Sequence, residues 1–166
     1  MSGRRFMEFT PVGERIEIRY SSGLRDACGN VAHAATYIRK RLIVLDEELK
    51  EQPREHARIL QHELLHFAWV RLGNAKRWSW EELLGAEITA RRRGETGWSA
   101  EWRKRALSPG DVGGRTVRWR EYCCESFCDT GAWLVTGEQA ELTLSKRNCA
   151  RRRKWFAAHF ERPLAI

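Results

Sequence analysis

Histidines at 62 and 66 with a glutamate at 63 are the residues of this 166-residue chain whose types and spacing together specify a chemistry. On an α-helix, residues four apart share a face, so both imidazoles can reach one point while Glu63 is turned aside. Two such imidazoles suit Zn²⁺, and the intervening carboxylate is placed to take a proton from a water that the metal acidifies. The chemistry predicted is metal-assisted hydrolysis.

A catalytic zinc site needs a third protein ligand and an open fourth position. No further histidine extends the motif, since positions 69–72 read Trp-Val-Arg-Leu. His33 falls in a predicted strand and His159 in a basic C-terminal helix. The stretch Arg120–Asp129 reads as helical and carries three acids at successive turns, Glu121, Glu125 and Asp129. Glu125 and Asp129 share a face, so one can ligate the metal while the other orients a ligand histidine. Glu121 lies one turn earlier and competes for the same place. Only Glu125 has an acid four residues on, and only Glu125 stands in register with the small residues Cys128 and Ala132, which permit close helix packing.

The elements that must position these residues are legible around them. Residues 41–46 (Arg-Leu-Ile-Val-Leu-Asp) predict a short buried strand, and 52–72 predict one helix, with Pro53 suited to its first turn and Gly73 to its end. Ile59, Leu60, Leu64, Phe67, Ala68 and Val70 form its apolar stripe. Upstream, 14–20 and 32–38 predict two more strands, the second a candidate edge for an extended peptide. Downstream, Ser79-x-x-Glu82 has the form of a capping box opening a helix to about Arg93, Ser99 opens a shorter one to about Leu107, and Ser108–Gly114 reads as a loop. Trp78, Trp80, Trp98 and Trp102 read as core or lid packing.

His62-Glu63-x-x-His66 followed by Glu125-x-x-x-Asp129 resembles the gluzincin arrangement. The wider order resembles the ImmA/IrrE family of small bacterial metallopeptidases: an aliphatic strand (Leu42–Asp46), an H-E-x-x-H helix, then a helix of the form E-x-x-A-(N/D)-x-x-A, here Glu125 to Ala132 and on through Trp133-Leu134. The resemblance covers about residues 30–72 and 118–136. Fifty-eight residues separate His66 from Glu125, so 73–117 read as an insertion, and Cys128 and Gly131 stand where that family commonly has alanine and a large apolar residue. The resemblance implies a zinc metallopeptidase acting on a specific regulatory protein. It implies zinc held by His62, His66 and Glu125, Glu63 as general base and proton donor to the leaving amine, and Asp129 bonded to a ligand histidine. The oxyanion partner stays open among His33, Tyr37 and Tyr122.

Composition bounds the rest. The length and 42% apolar content with eight Trp suit a single domain, predicted here to span 1–166. The first residues carry no signal-like apolar stretch and no run approaches a membrane span, so the expected location is cytoplasmic, with no membrane partner. Five cysteines, three of them on one predicted helix, fit buried thiols in a reducing compartment.

Net charge is +8, and residues 146–154 hold six cations and no acid. That segment predicts an amphipathic helix over about 145–160, capped by Ser145, whose basic side is either solvated or a docking face for nucleic acid or an acidic partner through Arg147, Arg151, Arg152 and Arg153. A competing reading is thus a nucleic-acid-associated or protein-interaction regulator with a structural or vestigial metal site. The fold expected is α+β with a zincin-like core: a small N-terminal sheet, the catalytic helix, a second metal-binding helix, and a helical insertion over the cleft.

Overall fold

The computed structural model describes residues 8–26, 29–137, 142–160 and 163–166. Along these the chain runs β1 (Phe9–Thr10), β2 (Glu17–Ser21), β3 (Ala34–Tyr37), β4 (Leu42–Asp46), α1 (Pro53–Arg71), α2 (Asn74–Thr89), α3 (Trp98–Arg105), α4 (Pro109–Gly113), α5 (Val117–Thr136), α6 (Lys146–His159) and β5 (Leu164–Ala165). The fold is α+β, with six helices and two small sheets among the described residues.

β4, with Ile43 and Leu45 wholly buried, is the middle strand of a three-stranded sheet ordered β2-β4-β3. β2 joins it in parallel and β3 antiparallel, with Thr36 opposite Ile43. β3 is therefore an edge, shorter than the 32–38 expected, because Ile38–Lys40 tighten into a 3₁₀ turn and Arg41 takes a left-handed φ of 51°. His33 sits just before the strand, exposed, and its carbonyl accepts from Asp46 N–H at 2.8 Å. A second sheet, unforeseen, pairs β1 with β5 in parallel and so ties residues near the two chain ends together.

Asp46 ends β4 and accepts from Glu48 N–H, starting the 3₁₀ turn that leads to α1. α1 begins at Pro53, whose missing N–H costs nothing in a first turn. It buries Ile59, Leu65, Phe67 and Ala68 along with His62 and Glu63, whereas Val70 is exposed. Its principal neighbour is α5, capped by the Thr116 hydroxyl, which accepts from Trp119 N–H. The two helices approach so closely at Gly131 that a Cβ there would stand 2.5 Å from the fully buried Leu65 side chain. That close approach accounts for the glycine where the resembled family has a large residue.

α2 starts five residues before Ser79, because the Ser79 hydroxyl accepts from Trp155 Nε1–H at 2.9 Å and caps nothing. The 108–114 loop contains the short helix α4, with the Asp111 carboxylate accepting from Ser108 N–H. Of the four tryptophans read as packing residues, Trp80 alone is buried; Trp78, Trp98 and Trp102 are exposed. No helix of the described residues is long and apolar enough to cross a membrane.

Candidate metal centre

α1 brings His62 and His66 onto one face, their rings edge to face with centroids 5.0 Å apart. α5 lies against that face and presents Glu125, whose carboxylate oxygens stand 3.2 Å from His62 Nε2 and 3.9 Å from His66 Nε2. The two approaches use different oxygens, Oε2 toward His62 and Oε1 toward His66, so one ion held by all three residues would need the carboxylate or His66 to shift.

The other ring nitrogens are already engaged. His62 Nδ1 lies 2.8 Å from Asp129 Oδ1, and His66 Nδ1 lies 3.5 Å from the Cys124 thiol. Each imidazole is thereby held with Nε2 directed at Glu125, the arrangement in which a second residue fixes tautomer and ring plane. Burial opposes protonation of His62, but Asp129 and Glu125 outweigh it and raise its pKa well above the usual value. His66 is raised in the same way, against its burial, by Cys124 and Glu125. Burial pushes the Glu125 carboxyl up, yet the two imidazoles and the Arg103 guanidinium hold it far below the usual carboxylate range. A hydrogen bond with Cys128, together with the facing His66 and against burial, lowers the Cys124 thiol to about 6.

Cys128 is a second candidate for third ligand, since its sulfur and one nitrogen of each histidine lie within 4.8 Å of one another. Glu125 competes with Cys128 for that place. Both Nε2 atoms face the Glu125 carboxylate whereas the Nδ1 atoms are taken by Asp129 and Cys124. Glu121 is exposed on α5 one turn away from this cluster.

Glu63 is buried and accepts a hydrogen bond from Thr36 Oγ1 at 2.6 Å, which ties it to β3. The insertion backs the other side. Ser99 Oγ donates to Glu125 Oε2, Ala100 N–H donates to Asp129 Oδ2 at 2.9 Å, and Arg103 Nη2 lies 3.6 Å from Glu125 Oε1. A Cβ on Gly97 would stand 2.4 Å from the Asp129 carboxylate, so the start of α3 presses directly on that residue. Thr36, Cys124, Ser99 and Arg103 carried no signal in the sequence, because each reaches the cluster through tertiary packing and none belongs to a spaced motif.

Two expectations are corrected. Tyr122, one of three oxyanion candidates, is wholly buried and donates to Glu95 Oε1 at 2.6 Å, inside the core. Tyr37 and His33 are both exposed. Arg152 has no place on a basic docking face: it is 0% exposed, with Nη2 2.7 Å from Glu87 Oε2 and Nη1 2.5 Å from Glu95 Oε2. Its position on α6 points inward, toward α2 and the segment preceding α3. Arg147, Arg151 and Arg153 do face outward.

Comparison with protein-family models, curated proteins and solved structures finds no match to the chain.

Proposed function

We propose that the protein is a zinc-dependent metallopeptidase with a zincin-like core of the ImmA/IrrE kind. The observation that carries this reading is the meeting of two histidines and a carboxylate: the Nε2 atoms stand 3.2 Å from Oε2 and 3.9 Å from Oε1 of the half-buried Glu125, with Glu63 held by a strand. His62, His66 and Glu125 are the residues that would hold the ion, and two neutral imidazoles with a carboxylate are an ordinary donor set for catalytic zinc. A zinc ion there supplies Lewis acidity toward a peptide carbonyl and lowers the pKa of water.

The chain's own residues supply the rest. Glu63, fixed by Thr36, takes a proton from the attacking water and delivers it to the leaving amine. Asp129 and Cys124 hold both rings with Nε2 toward Glu125. β3 is an open edge immediately next to Glu63, and an extended peptide can add to it through main-chain hydrogen bonds. A regulatory protein as the target rests on the resemblance alone.

Glu63→Gln tests the chemistry, since it removes the base and leaves the three donors intact. The expected result is unchanged zinc content with peptide hydrolysis reduced about 10²- to 10⁴-fold. Hydrolysis within a few-fold of the native rate, or a native protein that takes up no metal, overturns the proposal.

A second reading is supported by one surface. Lys146, Arg147, Arg151, Arg153 and Lys154 are all exposed on α6, a cationic face suited to nucleic acid and compatible with the hydrolase reading.

A further inference from the structure

β2 keeps one side of its backbone open. It is an edge of the three-stranded sheet, paired with β4 alone among the described residues. Glu17 N–H donates to the Arg41 carbonyl at 2.7 Å, and Glu17 stands opposite Leu42 in the parallel register. Residues 17, 19 and 21 therefore turn their main-chain groups toward β4. Ile16, Ile18 and Tyr20 turn theirs the other way, where no main-chain partner meets them among the described residues. All five residues of the strand are exposed, Ile18 by 41% and Tyr20 by 38%.

An open edge carrying exposed apolar side chains is a template for another strand, and the usual guards are a proline, a bulge or a row of like charges. β2 has none of these. Its register with β4 is unbroken, no proline lies between Pro11 and Pro53, and its charges alternate in sign through Arg15, Glu17 and Arg19. Arg19 donates to Glu17 at 2.6 and 2.9 Å, so the two share the face opposite to Ile18.

The order of these side chains selects the occupant. Open side must meet open side, and the antiparallel, twofold registers of β2 with another β2 that overlap most are centred on Glu17, Ile18 or Arg19. The first sets Glu17 against Glu17 and Arg15 against Arg19, and the third sets Arg19 against Arg19, like charges directly opposite one another. The register centred on Ile18 sets Glu17 of each chain against Arg19 of the other, Ile18 against Ile18, and Ile16 against Tyr20. It also makes the central pair one that exchanges both main-chain hydrogen bonds, as the outward N–H and C=O of Ile18 require.

We infer that β2 is a homodimerisation edge, at which two copies pair antiparallel about Ile18 into one six-stranded sheet with a Glu17–Arg19 ion pair on each side of the twofold axis. β3, at the far edge of each half, stays open for the extended peptide proposed to add there. A junction this short buries less than about 1,200 Å², so the association is weak, with a dissociation constant on the order of 10–100 μM. The dimer does not depend on the metallopeptidase reading.

Sedimentation velocity of the full chain from about 1 to about 500 μM tests the pairing. The native protein should pass from monomer to dimer and no further. Glu17→Arg and Arg19→Glu each set like charges opposite one another twice, and each should weaken the dimer about tenfold or more. Both substitutions in one chain restore opposite charges and should restore the native dimer, and mixing the two single variants should give a heterodimer. Ile18→Pro removes only an outward N–H, a place where an edge strand tolerates proline, so that variant should keep a near-native melting temperature and stay monomeric.

A native chain that stays monomeric throughout overturns the inference. So does a dimer that survives Ile18→Pro, single charge variants that dimerise like the native chain, or a double variant no tighter than the singles. Species that grow beyond a dimer with concentration place the contact on an open-ended surface and overturn it as well.

Discussion

His62 and His66 each spend one ring nitrogen on a residue of α5, and the two anchors differ in strength. Asp129 meets His62 as a carboxylate at 2.8 Å, and Cys124 meets His66 as a thiol at 3.5 Å. Loss of a ligand's orienting partner typically costs ten- to a hundredfold in metal affinity or activity. Asp129→Ala should therefore weaken zinc binding by about that factor in a chelator competition, and Cys124→Ala by less, since sulfur is the weaker acceptor. Glu125→Ala should abolish tight binding, and the exposed Glu121 should tolerate alanine with zinc content unchanged. Retained zinc in Glu125→Ala with a thiolate-to-metal absorption band after cobalt substitution would transfer the third position to Cys128. Helical spacing groups His62 with His66 and Glu125 with Asp129, the resemblance joins the two pairs, and α1 and α5 bring them to within 2.8–3.9 Å. Cys124 was not legible, since nothing in the sequence distinguishes a thiol that faces an imidazole from one that fills space.

At the scale of elements, the insertion is a buttress. The first turn of α3 reaches the acids that meet the histidines: Ser99 to Glu125 and Ala100 N–H to Asp129. Gly97→Ala follows from this. Its new methyl would meet the Asp129 carboxylate at 2.4 Å, so either α3 lifts or Asp129 leaves His62. The expected outcome is lowered zinc affinity together with a stability loss of about 1–3 kcal/mol, the range for overpacking a close contact. A fully stable variant with native zinc affinity would remove α3 from the site. Glycine at 97 was visible in the sequence, but its neighbour 32 residues later was not, because a close approach leaves no periodic trace. The misplaced start of α2 has a similar origin: Ser79-x-x-Glu82 fits a capping box by letter, and the Ser79 hydroxyl is taken by Trp155. The helices α1 and α6 were read to within a residue or two because Pro53 and Ser145 act locally, as first-turn proline and as a hydroxyl that accepts from Asn148 N–H.

For the molecule as a whole, the charge excess divides between surface and core. Arg147, Arg151 and Arg153 lie outside, and if α6 binds nucleic acid their joint replacement by alanine should flatten the salt dependence of affinity by nearly one unit of log–log slope for each phosphate no longer neutralised. No binding at low ionic strength would leave that face solvated. Arg152 belongs to the interior, where it joins α6 to Glu87 at the end of α2 and to Glu95, which also receives Tyr122, Ser126 and Lys104. Sequence could not separate it from its neighbours, since one arginine in a run of three is told apart only by what the helix packs on. Removing one partner from a buried charge cluster costs about 3–5 kcal/mol, so Arg152→Met should lower the melting temperature at neutral pH by on the order of 10 °C. The pH dependence fixes the cause. Burial alone would push the Glu95 carboxyl up, but the Arg152 charge and hydrogen bonds, with help from Lys104 and Tyr122, hold it at about 2, below the 4.5 of a free glutamate. A depressed folded-state pKa stabilises above the unfolded value and loses that contribution as pH falls through the folded one. The native protein should therefore lose stability between about pH 4.5 and pH 2, and Arg152→Met, in which Glu95 is free to take up a proton, should lose less across the same window. Denaturant unfolding at pH 7, 4 and 2.5 reads this as a narrowing gap between the two proteins. A gap of constant size would show that Arg152 stabilises through packing on Trp80, 5.7 Å from its guanidinium carbon, and not through charge.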